Sequence, residues 1–179
     1  MAKKQKGSLL GIVFLCLVLV GLVLVVVGMF VGQVTHTYMK LTTETKEAIK
    51  LFDGDFWNKE SSLGFGQITP SNTLGIIAFI VAAVGLLVLI CTGVLQNLLK
   101  KDGSILNIVR IVGVALTIVG AVLILVSGIT MANACYGDYK EQAEALKISF
   151  APGIGVWLGF VGGLVGGVCG ALPLLKPFK

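Results

Sequence analysis

Charged side chains disappear from this chain in four long windows, 7–39, 61–99, 111–137 and 148–175, and apolar residues dominate each of them. A helix needs about 20 apolar residues to cross the hydrocarbon core of a bilayer, and every window exceeds that length. The pattern predicts spans at about 9–32, 74–98, 108–130 and 154–175 within a single membrane domain, 1–179. The expected fold class is an all-α integral membrane protein. It would be a four-transmembrane-helix bundle with helical extracytoplasmic segments at 33–72 and 132–152.

Between the first two windows the pattern changes. No glycine or proline interrupts 33–53, and Tyr38, Leu41, Ala48, Ile49, Phe52 and Phe56 recur near helical spacing. Lys40 and Glu44 stand four apart and Glu47 and Lys50 three apart, separations that meet on one helix face. These features predict that the first span continues outward as a helix, ending near Gly54, and that 58–72 form a loop. In the second outer segment, Asp138 and Glu141 have capping-box spacing. A short helix follows from that, with Tyr139, Ala143 and Leu146 on its apolar face, and Pro152 suits the first turn of the fourth span. Tyr38, Phe52, Phe56, Trp57 and Tyr139 make up the expected outer partner face. Trp57, Tyr136, Tyr139, Phe150 and Trp157 also suit an aromatic belt at one membrane boundary.

Composition agrees with the windows: only 13% of residues are charged and the mean hydropathy is +0.97, whereas a soluble domain is about 25% charged. The distribution of cations predicts orientation. Lys3, Lys4, Lys6, Lys100, Lys101, Arg110, Lys176 and Lys179 fall on one side with a single acid, Asp102. On the other side the lysines are outnumbered by Glu44, Glu47, Asp53, Asp55, Glu60, Asp138, Glu141 and Glu144. Both termini and the short middle connection are therefore expected in the cytoplasm, in a multi-pass protein of the cell membrane. The net charge of +5 is accounted for by residues flanking spans, which argues against a nucleic-acid partner. The first span, about 9–32, reads as a retained anchor, because the apolar run is too long for a signal-peptide core and no small-residue cleavage site follows.

Chemistry inside the bilayer usually needs ionisable groups, and the span interiors contain no Asp, Glu, Lys or His. Arg110, at the start of the third span, is expected to snorkel to the headgroups. Thr92, Gln96, Asn97, Asn107, Thr117, Ser127 and Thr130 are candidates for hydrogen bonds between helices. Ser127 has no activating base, His36 has no ligand partner at metal spacing, and Cys16, Cys91, Cys135 and Cys169 form no metal motif. No catalytic residue, metal or cofactor is expected, and the protein does not read as an enzyme.

Glycine is the remaining signal. On the fourth span Gly155, Gly159, Gly163 and Gly167 recur every four residues, with Gly162, Gly166 and Gly170 in an adjoining row. The first span carries Gly21, Gly28 and Gly32, and the third has Gly113, Gly120 and Ser127 seven apart. Membrane helices associate largely by close backbone packing, which small residues permit. Two readings follow: both rows pack inside one bundle, or one row faces another chain as a glycine zipper.

The layout of internal termini, a long first outer segment, a short inner turn and a shorter second outer segment resembles that of claudin-like and other tetraspan proteins. The claudin first-loop pattern of W, G-L-W and two cysteines is missing, Trp57 standing without it, so no residue role carries over. The expected function is that of a non-enzymatic structural or accessory tetraspan. Its partners would be the lipid bilayer and either further copies of itself or a larger membrane complex. An oligomeric channel or small-solute transporter is the alternative, although a selective aqueous path normally has more polar lining. An immunity-type or regulatory membrane protein is a third reading.

Overall fold

The computed structural model describes residues 2–40, 43–51, 73–97, 99, 103–138, 140–141, 144 and 147–174. Its main elements are α1 (Ala2–Phe30), β1 (Gly32–Lys40), β2 (Thr43–Lys50), α2 (Thr73–Asn97), α3 (Ser104–Asp138), β3 (Ser149–Pro152) and α4 (Ile154–Ala171). A 3-10 turn, Leu172–Leu174, follows α4. Four helical stretches, Leu9–Phe30, Thr73–Asn97, Ser104–Asn133 and Ile154–Leu174, are long and apolar enough to cross a membrane. A spanning segment must satisfy its own backbone hydrogen bonds, and a helix does so locally.

The helices form a ring in which α1 packs chiefly on α4 and α2 chiefly on α3, with α3–α4 and α1–α2 contacts closing it. Val18, Val25, Phe79, Leu86, Leu89, Ile124 and Val156 fill the centre. The outer surface is apolar as well: Val20, Val23, Ile80, Leu87, Val119 and Val161 are exposed. In water such a surface would be unfavourable; hydrocarbon is the solvent that matches it.

The first outer segment corrects the helical expectation. β1 and β2 pair antiparallel, with Thr35 opposite Ala48, His36 opposite Glu47 and Thr37 opposite Lys46. Leu41 and Thr42, between the strands in sequence, lie outside the described residues. The opposite edge of β1 takes β3, which comes from the second outer segment, giving the strand order β2-β1-β3. The protein is thus a helical bundle carrying a three-stranded sheet. The reason lies in side-chain shape. Val34, Thr35, Thr37, Thr43, Thr45 and Ile49 are β-branched, and such residues favour strands over helices. The charge spacings that suggested a helix are worth only about 0.2–0.5 kcal/mol per pair. Gly32 is likewise not a helix-packing residue of α1; it begins β1 beside an irregularity in the ladder and lies against Ala48.

α3 runs past its membrane-length portion and supports the sheet from below. Met131 and Ala132 cluster with Val34 of β1, and Phe150 of β3 packs against them. Asp138 is the last residue of α3 and not a free N-cap, while Lys140, Glu141 and Glu144 are helical. Tyr139, Ala143 and Leu146 lie outside the described residues. Lys147 has φ 52°, a left-handed conformation uncommon for a side-chain-bearing residue, and it turns the chain toward buried Ile148 and β3. Pro152 closes β3 instead of opening α4, paired with Val34 at a sheet edge, where proline is tolerated. Gly153, with extended backbone, is the N-cap of α4.

Candidate functional site

The glycines bring the helices together. A Cβ added to Gly21 would stand 2.6 Å from the Gly162 carbonyl oxygen, and one on Gly162 would stand 2.7 Å from the Gly21 oxygen. Gly28 and Gly155 repeat the reciprocal arrangement at 2.6 and 2.5 Å. Backbone therefore lies on backbone at two places along the α1–α4 seam. Toward α3, a Cβ on Gly163 would lie 2.7 Å from Ala121 Cβ, and one on Gly167 3.0 Å from Ile118 Cγ1. Gly159 accommodates Phe79 and Ile124, Gly166 accommodates Leu86, and Gly170 accommodates Leu89. All seven of these α4 glycines are buried within this one chain. A second seam joins α2 to α3: a Cβ on Gly120 would stand 2.5 Å from Ala82 N, and Gly113 lies against Val88 and Leu89. Gly85, not singled out from sequence, meets Gly113 and Thr117 in the same seam. Its signal was present, since Ala78, Ala82, Gly85 and Gly93 place small residues along one face of α2.

Where the bundle meets the sheet, buried Gln33 ties several elements together. Its Nε2 donates to the carbonyl oxygens of Gly28, at 2.5 Å, and Val31, at 3.0 Å. These are among the carbonyls that the end of α1 leaves without helical partners. The Gly153 backbone N–H donates to the Gln33 carbonyl oxygen at 2.6 Å. A Cβ on Gly153 would collide with the Gly32 carbonyl oxygen, and one on Gly155 with Gln33 Nε2. Sequence reasoning passed over Gln33; its signal is a lone amide directly after an apolar run.

The opposite end of the bundle holds a polar cluster. Arg110 is only 4% exposed and donates from Nη1 to Gln96 Oε1, while Gln96 Nε2 donates to Asn107 Oδ1 at 3.1 Å. Asn97 Nδ2 donates to the Gly11 carbonyl oxygen at 3.3 Å. Arg110 does not snorkel as expected: it turns inward, where the Gln96 amide meets it and Gly93 leaves room. A Cβ on Gly93 would stand 3.6 Å from Arg110 Nη2. The Arg110 Nε is buried with no hydrogen-bond partner among the described residues. Beside it lies a small, partly open pocket with enclosed room for about one water molecule, lined by residues of all four helices. The hydroxyls expected between helices bond back to their own helix instead: Thr92 to Val88 and Leu89, Thr117 to Gly113, Ser127 to Ile124 and Thr130 to Val126. A carbonyl three or four residues back is always within reach of a helical Ser or Thr.

The proposed outer partner face is only partly described. Tyr38 falls in β1, while Phe52, Phe56, Trp57 and Tyr139 lie outside the described residues. Trp157, near the start of α4, is half-exposed and packs edge-on to Phe160, with centroids 6.4 Å apart at 76°. Cys16, Cys91 and Cys169 are free thiols. Among the described residues, no three His, Cys, Asp or Glu side chains gather as a metal site. The chemistry this arrangement offers is a buried guanidinium beside a small pocket at one end and a braced sheet at the other. No protein-family model, curated protein or solved structure matches the chain.

Proposed function

We propose that this chain is a non-enzymatic structural or accessory tetraspan of the cell membrane, in which the helical bundle is a rigid base and the outer face docks a partner. One observation carries the reading: the outer sheet is assembled from both outer segments and fixed to the ends of α1 and α4 through Gln33 and Gly153. A platform held at several points loses little conformational freedom when a partner binds, which favours affinity. The cation distribution supports an orientation with both termini in the cytoplasm and the sheet outside.

The packing also favours this reading over conduction through a single chain. Phe79, Leu86, Leu89 and Ile124 occupy the centre of the ring, so a solute path would have to run between copies. The α4 glycines are covered internally. Association with other copies or with a larger complex would therefore use the lipid-facing sides or the outer face. The test is purification in mild detergent with mass measurement of the intact assembly, compared with 18.8 kDa for one chain. A stoichiometric partner or defined oligomer is expected, reduced by Phe56→Ala with Trp57→Ala. A lone chain in both detergent and membrane crosslinking would defeat the proposal.

A further inference from the structure

We infer that the pocket beside Arg110 is a binding site for the phosphate of an anionic membrane lipid. Arg110 is almost wholly buried, yet its one side-chain hydrogen bond among the described residues goes to Gln96, an uncharged amide. Its Nε is buried without a hydrogen-bond partner among the described residues, and the side chain lines the pocket. Removing a charge from water without a counter-charge is strongly unfavourable, so an anion completes this site. The guanidinium fork matches two phosphate oxygens at once.

The surroundings select a lipid as the source of that phosphate. Arg110 lies six residues into α3, roughly 9 Å along the axis from Ser104 at 1.5 Å per residue. That depth brings it near the headgroups and away from the bilayer centre. Phe14, Leu15 and Val18 of α1 and Leu89 of α2 give the pocket apolar walls suited to the start of an acyl chain. Lys3, Lys4, Lys6, Lys100 and Lys101 occur in sequence beside the helix ends at this end of the bundle, and such cations attract anionic leaflets. Gly93 keeps the seat open, since any side chain there would press on Leu15 and approach the guanidinium.

The test uses the full chain in mild detergent. Phosphatidylglycerol, phosphatidylcholine with the same acyl chains, and inorganic phosphate are titrated separately, read by native mass spectrometry and thermal shift. Phosphatidylglycerol is expected to bind at least about tenfold more tightly than phosphatidylcholine, whose phosphate is the same but whose choline cation would be held near the guanidinium. Arg110→Gln should abolish that preference, and Arg110→Lys, which keeps the charge and loses the fork, should retain part of it. Gly93→Leu, which fills the seat with the arginine intact, should also abolish it and guards against misfolding of the arginine variant. Equal binding of the two lipids, or full preference in both Arg110→Gln and Gly93→Leu, overturns the inference. Stabilisation by inorganic phosphate without lipid preference overturns the lipid source. Preference appearing only in Asp102→Asn would put that carboxylate in the pocket and overturn the site.

Discussion

Replacing Gly162 with alanine adds one methyl group at the α1–α4 seam, and the geometry sets the consequence. The new Cβ would stand 2.7 Å from the Gly21 carbonyl oxygen and 3.1 Å from Val25 N. Leu24 Cβ also lies at 2.7 Å and is fixed to its own backbone, so no side-chain rotation relieves the contact. Restoring the 3.4 Å of ordinary contact requires the helices to part by about 0.7 Å, and a gap of 0.5–1 Å forfeits about a quarter to a half of each contact along the seam. Overpacking of this kind typically costs about 1–3 kcal/mol. Alanine's better helix propensity, about 1 kcal/mol, works in the opposite direction, so a net loss of up to about 2 kcal/mol is expected. Gly21→Ala should behave alike, its Cβ meeting the Gly162 oxygen at 2.6 Å, whereas Gly103→Ala, with nothing within 4 Å, should be neutral. Reversible unfolding in mixed micelles would compare the three. The reasoning fails if Gly21→Ala and Gly162→Ala unfold at the same denaturant midpoint as Gly103→Ala.

Three further outcomes are expected. Gln33→Leu removes both bonds to the end of α1 and should destabilise the fold by about 1–3 kcal/mol, seen as a lowered melting midpoint. In a chain lacking its native cysteines, Thr37→Cys with Lys46→Cys and Thr35→Cys with Ala151→Cys should each form a disulfide on mild oxidation. These residues are cross-strand partners, and such Cα separations suit a disulfide; a mass spectrum retaining two free thiols would contradict the sheet. Ser127→Ala deletes only a bond to its own helix, so unfolding should shift by less than about 1 kcal/mol; a larger loss would mean the hydroxyl bridges helices.

The four helices were legible because the absence of charge over a membrane thickness is a property of contiguous residues. The hairpin was misread for a related reason. Lys40 and Glu44 satisfy helical spacing locally, but one of the two strands that pair with β1, Ser149–Pro152, lies more than a hundred residues away. The alternating β-branched residues Thr35 and Thr37 with Thr43 and Thr45 were the local evidence for strands. On α4, spacing revealed two glycine rows but not their partners, since only the folded ring decides that Gly162 meets α1 and Gly163 meets α3. Arg110 was visible as an anomaly. Its direction depended on Gln96, fourteen residues earlier on another helix, and on the missing side chain of Gly93.

The ring also implies an order of assembly. Synthesis delivers α1 first and its main neighbour, α4, last. The connected pair α2 and α3 can close their own seam as soon as both have entered the bilayer. Until then, the Gly21 and Gly28 face of α1 has no backbone to lie against. The same late step brings Ser149–Pro152 to the waiting edge of β1 and Gly153 to Gln33. Synthesis of the last strand and helix therefore completes the membrane seam and the sheet in close succession, and a chain truncated before Ser149 would lack both.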